Sequence, residues 1–289
     1  MNQTVMKQTV TQSNPLSGAT PNQTADSHTH HQSVALNVHN LSAGYPGDRQ
    51  AISNIQFAIK RGERVAIIGP NGAGKSTLFK AIAGLIPFTT GEISVQGEDC
   101  RSSHAYVGYV PQQQDIDWTF PVSVYDVIMM GRARHSKWFP WWQQSDHERT
   151  KQLLAQLSLT SIANRQIGEL SGGQKRRVFI ARALAQEASV LLMDEPFTGV
   201  DTTAEQEIME TLDVLRNQGI TILLATHNLE KAASAFDKIL LLKQQQLAYG
   251  PPSEIMQPDV LRLAFGGGLS VFQQGNETIF IADEHGANS

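Results

Sequence analysis

Several features that would place a protein outside the cell or on nucleic acid are missing from this sequence. Its single cysteine, Cys100, excludes an internal disulfide bond and is typical of a reducing compartment. No apolar run approaches the roughly 18 residues that span a bilayer, and no basic segment followed by an apolar one opens the chain. The formal net charge of -4 at pH 7 provides no broad basic field for nucleic acid. We therefore expect a soluble, cytoplasmic protein with no nucleic-acid partner.

Residues 1–33 nearly lack large apolar side chains and are rich in Gln, Thr, Ser and Asn. Such a composition buries too little surface to offset the entropy lost on ordering, so we predict a disordered polar tail. His28, His30 and His31 lie in this tail. Because nothing fixes their geometry, we interpret them as an incidental cluster rather than as a metal site.

Strand patterns begin at Val34. The segments VALNVHNL and AISNIQFAI alternate apolar and polar residues, which is typical of half-buried strands. RVAIIG (64–69), SVLLMD (189–194) and TILLAT (221–226) are short, continuous apolar runs, which is typical of parallel strands buried on both faces. KILLLKQQQLAYG predicts a further strand pair. Because helical sequence lies near these runs, the predicted fold class is α/β with a mostly parallel sheet.

The segment from about 115 to 168 has a different pattern. VYDVIMMGRAR and DHERTKQLLAQL have helical spacing, so we predict a helical insertion between two halves of the sheet domain. Between them, KWFPWWQQ places four aromatic residues around a proline, in the segment from Trp138 to Trp142. Two interpretations stay open for this cluster: a packed aromatic corner, or an exposed apolar patch that meets a partner.

A phosphate-binding motif follows the first buried run. GPNGAGKST (69–77) matches G-x-x-x-x-G-K-[ST], and it lies between the strand-like RVAII and the helical LFKAIAGL, as the motif requires. Its amides surround a β-phosphate, Lys75 reaches the β and γ phosphates, and the Ser76 hydroxyl serves Mg²⁺. The predicted triphosphate site consists of Gly69, Asn71, Gly72, Gly74, Lys75, Ser76 and Thr77.

Polar side chains close the other two buried runs. Asp194 and Glu195 end SVLLMDEP, where we expect them beside the P-loop strand. Asp194 would hold Mg²⁺, and Glu195 would polarise the water that attacks the γ-phosphate. His227 follows TILLAT and would orient that phosphate and sense its loss. The alternative is that these are solvated turn residues and a structural histidine.

A second phosphate-seeking helix start is predicted in LSGGQKRRVF (170–179). The basic residues Lys175, Arg176 and Arg177 stand in its first turn, the wrong end of a helix dipole for cations. One interpretation is a capping box of Ser171 and Gln174. The other is a head-to-tail pair of copies, in which this helix start and its cations attract the nucleotide of the second copy. We favour this second interpretation because it also explains the glycine pair.

These motifs together resemble those of the ATP-binding subunit of ABC transporters, over about residues 34–265. GPNGAGKST is similar to the family's Walker A motif, VLLMDEP to its Walker B motif, LSGGQ to its signature, and His227 to its switch histidine. The resemblance implies a P-loop NTPase core with an N-terminal antiparallel β subdomain and an inserted helical subdomain. It implies ATP and Mg²⁺ as ligands, and leaves residues 266–289, with the strand-like TIFIA, as a C-terminal extension.

Further roles come from the resemblance alone. It implies that Tyr45 stacks on adenine, and that Gln112 couples the nucleotide to a permease and joins Ser76 and Asp194 at the metal. It assigns Ser171, Gly172, Gly173 and Gln174 to the nucleotide of the second copy. Asp201 would close the D-loop, although FTGVD departs from the family's more usual S-A-L-D.

Longer segments resemble a narrower group. DIDWTFPVSVYDVIMMGR, DEPFTGVD and LAFGG look like the subunits that energise manganese, chelated-iron and zinc importers. This implies a homodimer at the cytoplasmic face of the membrane, bound to integral permease subunits and served indirectly by an extracytoplasmic metal-binding protein. Two alternatives stay open: a siderophore or cobalamin importer, and a soluble ABC ATPase, which the single cassette and the absence of sustained heptads disfavour.

Overall fold

The computed structural model describes residues 33–45, 48–99, 106–134, 142–266, 269–274 and 277–282. The predicted tail up to residue 32, its histidine cluster and Cys100 lie outside these ranges. The aromatic cluster does as well, apart from Trp142, which is 41% exposed. Within the described ranges, no helix combines the length and the apolar character needed to cross a bilayer.

Strands in the described residues are β1 (Val34–Tyr45), β2 (Asp48–Lys60), β3 (Arg64–Ile68), β4 (Phe88–Val95), β5 (Glu98–Asp99), β6 (Val107–Val110), β7 (Val190–Asp194), β8 (Thr221–Ala225), β9 (Lys238–Lys243), β10 (Gln245–Gly250), β11 (Leu269–Gln274) and β12 (Glu277–Ala282). The first ten strands form one sheet in the order β5-β4-β1-β2-β10-β9-β3-β8-β7-β6, and the last two form a separate hairpin.

The sheet has a parallel half and an antiparallel half. Strands β6, β7, β8, β3 and β9 run parallel, whereas β1 pairs antiparallel with both β2 and β4. Every residue of β3, β7 and β8 is buried, as their continuous apolar runs predict. The predicted α/β class with an N-terminal antiparallel part is therefore confirmed.

The strand order corrects one expectation. β7, which ends in Asp194, does not lie beside the P-loop strand β3, because β8 pairs with both of them. Sequence adjacency cannot reveal this order, since β3, β7 and β8 are joined by long connections that leave several parallel arrangements open. The result is that the strand before His227 lies between the P-loop strand and the strand of the carboxylates.

Helices in the described residues are α1 (Lys75–Ile82), α2 (Val124–Met130), α3 (Gln144–Gln156), α4 (Gly172–Ala185), α5 (Thr202–Asn217), α6 (Leu229–Ala235), α7 (Pro252–Ile255) and α8 (Pro258–Phe265). The segment predicted as a helical insertion contains α2, α3 and short 3-10 turns. α2 begins at a capping box of Ser123 and Asp126. Its buried residue Ile128 belongs to the same apolar cluster as Leu153 of α3 and Phe179 of α4, so α4 connects the insertion to the sheet.

Candidate active site

The carboxyl ends of β3, β8 and β7 meet at one edge of the sheet. Ile67 pairs with Ala225, and Ala225 pairs with Asp194, so the three strands end in one row. The chain continues this row beyond the strands, because Thr226 N donates to Ile67 O at 3.1 Å and Glu195 N donates to Ala225 O at 3.1 Å. The P-loop after β3, the carboxylates at the end of β7 and His227 after β8 therefore lie along one edge of the sheet. This is the edge at which open α/β sheets bind ligands.

Two glycines of the P-loop have no room for a side chain. A Cβ on Gly69 would lie 2.1 Å from Leu242 O, and one on Gly74 would lie 2.2 Å from Ile52 Cγ2. Gly74 also has φ 93°, in the left-handed region that favours glycine. It is the N-cap of α1, and no side chain in the described part of the chain caps this helix start. The first amides of α1 are thus available to an anion.

The side chain of Lys75 is held in place inside the P-loop by hydrogen bonds to main-chain carbonyls. Its side chain is buried, and Nζ donates to Gly69 O at 2.9 Å and to Pro70 O at 3.2 Å. Beside it lies a cavity of about 240 Å³, lined by the P-loop residues 71–77 together with Ala51, Gln112, Glu195 and Gln244. A buried cation next to open amides favours a phosphate group at this position.

Asp194 is fully buried at the end of β7. Burial raises the pKa of its carboxyl above the usual value, as does the charge of Glu195, while Ser76, Lys75 and Gln112 lower it. Oδ2 accepts a hydrogen bond from Tyr109 Oη at 3.4 Å, but Oδ1 is buried without a hydrogen-bond partner among the described residues. An unpaired carboxylate oxygen beside the Ser76 hydroxyl fits a hard divalent cation such as Mg²⁺.

Glu195 adopts an unusual backbone conformation. Its φ of 46° lies in the left-handed region, which costs a residue other than glycine about 1–3 kcal/mol. Its Oε2 accepts a hydrogen bond from Thr198 Oγ1 at 3.3 Å, and the residue lines the P-loop cavity. Strain of this kind is common at functional sites, so the conformation supports the role predicted for this carboxylate.

Tyr109 is a site residue that the sequence analysis missed. Its hydroxyl reaches Asp194, and its ring packs against Phe79 of α1 with centroids 6.5 Å apart. Burial, and next the charge of Asp194, raise its pKa, so the hydroxyl keeps its proton and donates it. The available signal was a phenol in the otherwise apolar strand VGYV.

Of the other predicted site residues, some line the cavity and some do not. Gln112 lines it, and its Oε1 accepts from Gln114 Nε2 at 2.6 Å. Tyr45 at the end of β1 and His227 after β8 are both exposed and are not among the lining residues. Asp201 caps α5, accepting from Ala204 N at 2.8 Å. The structure of the single chain therefore brings together the P-loop, Asp194, Glu195 and Gln112.

The capping box predicted for LSGGQ is present. Ser171 Oγ accepts from Gln174 N at 3.4 Å, and Gln174 Oε1 accepts from Ser171 N at 3.1 Å. The glycine pair also has a role inside the chain, which corrects the argument that only a second copy explains it. A Cβ on Gly173 would lie 2.8 Å from Ala204 Cβ, and one on Gly172 would lie 3.2 Å from a methyl of Val200.

The basic residues of α4 have partners within the chain. Lys175 Nζ lies 4.5 Å from the centroid of the Trp118 ring, and Arg177 pairs with Glu207 at 2.8 Å. Arg176 is buried and donates to two main-chain carbonyls, as described below. The donors of Arg176 are therefore used inside the chain, and the other two cations have partners there as well; the added attraction for phosphate stays a prediction.

Comparisons with known proteins agree with this geometry. Residues 52–198 match the family model described as ABC transporter. The manganese transport system ATP-binding protein MntB of Halalkalibacterium halodurans is 43% identical over 246 residues, which cover 85% of this chain and 98% of that protein. The chelated iron transport system membrane protein YfeB of Yersinia pestis is 42% identical over 81% of this chain and 80% of its own length.

Solved structures agree as well. A metal-chelate type ABC transporter in an inward-facing conformation has a chain with a TM-score of 0.72 and 30% sequence identity, over 86% of this chain and 97% of that one. A nucleotide-free ATP-binding cassette from an ABC transporter has a TM-score of 0.69 and 25% identity, over 81% and 99% of the two chains.

Proposed function

This chain belongs to the ABC transporter family as an ATP-binding subunit with ATPase activity, and on that premise we propose that it energises uptake of a divalent metal. Manganese or iron is the favoured cargo, and zinc is a further candidate. Support comes from relatives named for manganese, chelated-iron and zinc transport that are 39% to 43% identical to this chain. The observation that carries the ATPase mechanism is the buried Oδ1 of Asp194, which has no hydrogen-bond partner among the described residues and belongs to the residue directly before the cavity-lining Glu195.

Each residue of the predicted phosphate and metal site has a role in hydrolysis. The α1 amides and Lys75 hold the phosphates, and Ser76, Asp194 and Gln112 would hold Mg²⁺. The metal ion would neutralise charge on the β and γ phosphate oxygens. Glu195 accepts a proton from the attacking water, and His227 orients the γ-phosphate. Positioning and charge stabilisation supply most of the rate in phosphoryl transfer.

Two copies complete the site. Ser171, Gly172, Gly173 and Gln174 of one copy face the nucleotide of the other, with Asp201 near the junction, and Tyr45 stacks on the adenine of its own chain. Two observations support the contact of α4 with the second nucleotide: residues 171–174 do not line the cavity of their own chain, and Ser171 is exposed at the start of α4. A two-fold dimer would then contain two equivalent sites.

Membrane permease subunits are the second partner, bound through the Gln112 loop and the helical insertion. Three exposed apolar side chains on this part of the chain support the docking: Phe120 is 58% exposed, Met130 44% and Trp142 41%. The subunit would lie at the cytoplasmic face of the membrane as a peripheral protein. An extracytoplasmic metal-binding protein would deliver the cargo to the permease.

A chelated metal is the second candidate cargo, since a neighbour of known structure belongs to a metal-chelate type transporter. The relative named for chelated-iron transport is 42% identical to this chain and the manganese-system relative is 43% identical, so the cargo measurement below has to separate the two candidates.

Cellular metal content tests the function. We would measure total manganese, iron and zinc under scarcity of each, in a strain without redundant importers whose only copy carries Glu195→Gln. The matched control is Glu210→Gln on the exposed face of α5. Loss of manganese or iron in the first strain alone supports the proposal. Unchanged levels of all three metals, with verified expression, contradict the metal cargo, and growth on chelated metals then tests the second candidate.

A further inference from the structure

Arg176 joins two loops that border the P-loop cavity. It lies in the first half of α4 and is only 3% exposed. Its Nη1 donates to Pro111 O at 2.8 Å, and its Nη2 donates to Glu195 O at 3.2 Å. Pro111 directly precedes Gln112, and Glu195 directly follows Asp194. One guanidinium therefore contacts the main chain beside the predicted metal-binding glutamine and at the predicted catalytic carboxylate.

The backbone conformation of Glu195 is unfavourable by itself and needs stabilising contacts. Its left-handed φ of 46° persists only where surrounding contacts fix it. On one side its N–H donates to Ala225 O at 3.1 Å, and on the other its carbonyl accepts from Arg176. These two hydrogen bonds hold the peptide groups on either side of the Glu195 Cα, and so fix the direction in which the side chain leaves the backbone.

An arginine is the side chain suited to this task. Its planar fork donates in two fixed directions, whereas a lysine ammonium offers one centre. The position is costly, because a buried charge loses its hydration. Burial lowers the pKa of Arg176 to about 10, which the charges of Asp194 and Glu195 oppose, so it stays protonated at neutral pH. Its Nε has no hydrogen-bond partner among the described residues. The hydrogen bonds of the guanidinium to the two carbonyls therefore explain why an arginine is buried here.

We propose that Arg176 is a positioning residue for Glu195, which transmits the position of the α4 start to the catalytic carboxylate. The inference rests on the proposed function, because it takes Glu195 as the base. α4 begins at Ser171, the residue that would face the second copy's nucleotide. A shift of this helix start on dimer closure would therefore move the Glu195 backbone through Arg176. Hydrolysis then depends on the second copy in two ways: through the contacts that its helix start makes with phosphate, and through the position of the base Glu195.

The test compares two buried arginines by steady-state ATPase kinetics of the full-length chain. Arg176→Met keeps length and removes the donors, and we expect kcat to fall on the order of 100-fold with the KM for MgATP unchanged, since a misplaced group costs rate rather than binding. Arg64→Met is the control, because Arg64 is 8% exposed, also has an Nε without a hydrogen-bond partner in the described ranges, and starts β3 at the opposite sheet edge. It should lower thermal stability and leave kcat unchanged.

A double-mutant comparison separates positioning from structure. In a Glu195→Gln background, Arg176→Met should reduce the residual hydrolysis no further, because its effect acts through Glu195. Arg176→Lys retains the charge, and we expect it to fold and to recover part of kcat. Wild-type kcat in folded Arg176→Met or Arg176→Lys, or a further loss in the double variant, overturns the inference. If Glu195→Gln itself hydrolyses ATP at the wild-type rate, the failure lies in the proposed function instead.

Discussion

Helices α1 and α4 both begin beside glycines, but their N-termini are built in opposite ways. The α1 start has Gly74 at its N-cap, with no capping side chain in the described part of the chain, and it borders a cavity of about 240 Å³. The α4 start has Ser171 at its N-cap and a complete capping box with Gln174. Gly74 is left-handed and exposes amides, whereas Gly173 is helical and packs against Ala204.

The difference shows that a glycine-rich helix start does not by itself define a phosphate site. At α1 no side chain of the described residues competes for the amides, so one chain can bind phosphates there alone. At α4 the side chains of Ser171 and Gln174 already satisfy two main-chain donors, and the nearby cations have other partners. Any anion at α4 must come from outside and meet the donors that remain, which agrees with a nucleotide held by a second copy.

The largest expected effect distinguishes MgATP binding, which one chain performs alone, from hydrolysis, which needs the second copy to complete the site. Lys75→Ala should weaken MgATP binding to the monomer on the order of 100-fold, because it removes charge-assisted contacts to phosphate. Ser171→Arg should leave monomer binding unchanged but abolish hydrolysis, because the longer side chain blocks the contact between copies. Isothermal titration and ATPase rates measure the two effects. Weakened nucleotide binding by the Ser171→Arg monomer would remove the distinction between the two helix starts.

Mixed dimers sharpen the same distinction. When one copy carries Lys75→Ala and the other Ser171→Arg, both changes fall on one composite site and the second site stays intact. We expect purified heterodimers to recover about half of the wild-type ATPase rate, since a two-fold dimer has two sites. Dimers that carry both changes on the same copy damage both sites and serve as the control. Inactivity of the first heterodimer, with dimerisation verified, would count against the composite site.

The two packed glycines should respond unequally to alanine. Gly74→Ala forces a left-handed alanine and places its Cβ against Ile52, so we expect the free energy of unfolding to fall by about 2 kcal/mol or more, with loss of MgATP binding. Gly173→Ala meets Ala204 but gains helix propensity, so we expect a net loss of about 1 kcal/mol. Urea unfolding measures both, and a smaller loss for Gly74→Ala would contradict the close packing of the P-loop.

The smallest effect concerns the cap itself. Ser171→Ala should lower the free energy of unfolding by about 1 kcal/mol, and Ser171→Asp should restore it, because aspartate is an equally good N-cap. Ser123→Ala, which removes the matching capping box of α2, should cost about the same without changing ATPase activity. A stability cost without any loss of hydrolysis in Ser171→Ala would limit the role of this hydroxyl to capping.

The parts of the site that sequence predicts best are those whose pattern is local. The P-loop lies within nine consecutive residues between a strand and a helix, and the structure has the same order, β3 and then α1. The capping box of Ser171 and Gln174 is equally local. Tyr109 was missed because its partner, Asp194, is 85 residues away along the chain. Nothing near Tyr109 in the sequence indicates which carboxylate its hydroxyl meets.

The sequence by itself determined the α/β class, the buried parallel strands and the segments that carry phosphate chemistry, because periodicity and short motifs depend on neighbouring residues alone. Only the tertiary structure decided that β8 lies between β3 and β7, that Gly173 packs on Ala204, and that Arg176 donates to two main-chain carbonyls. Those outcomes depend on which distant segments pack together, and burial then assigns each charged or polar group to the partner within reach.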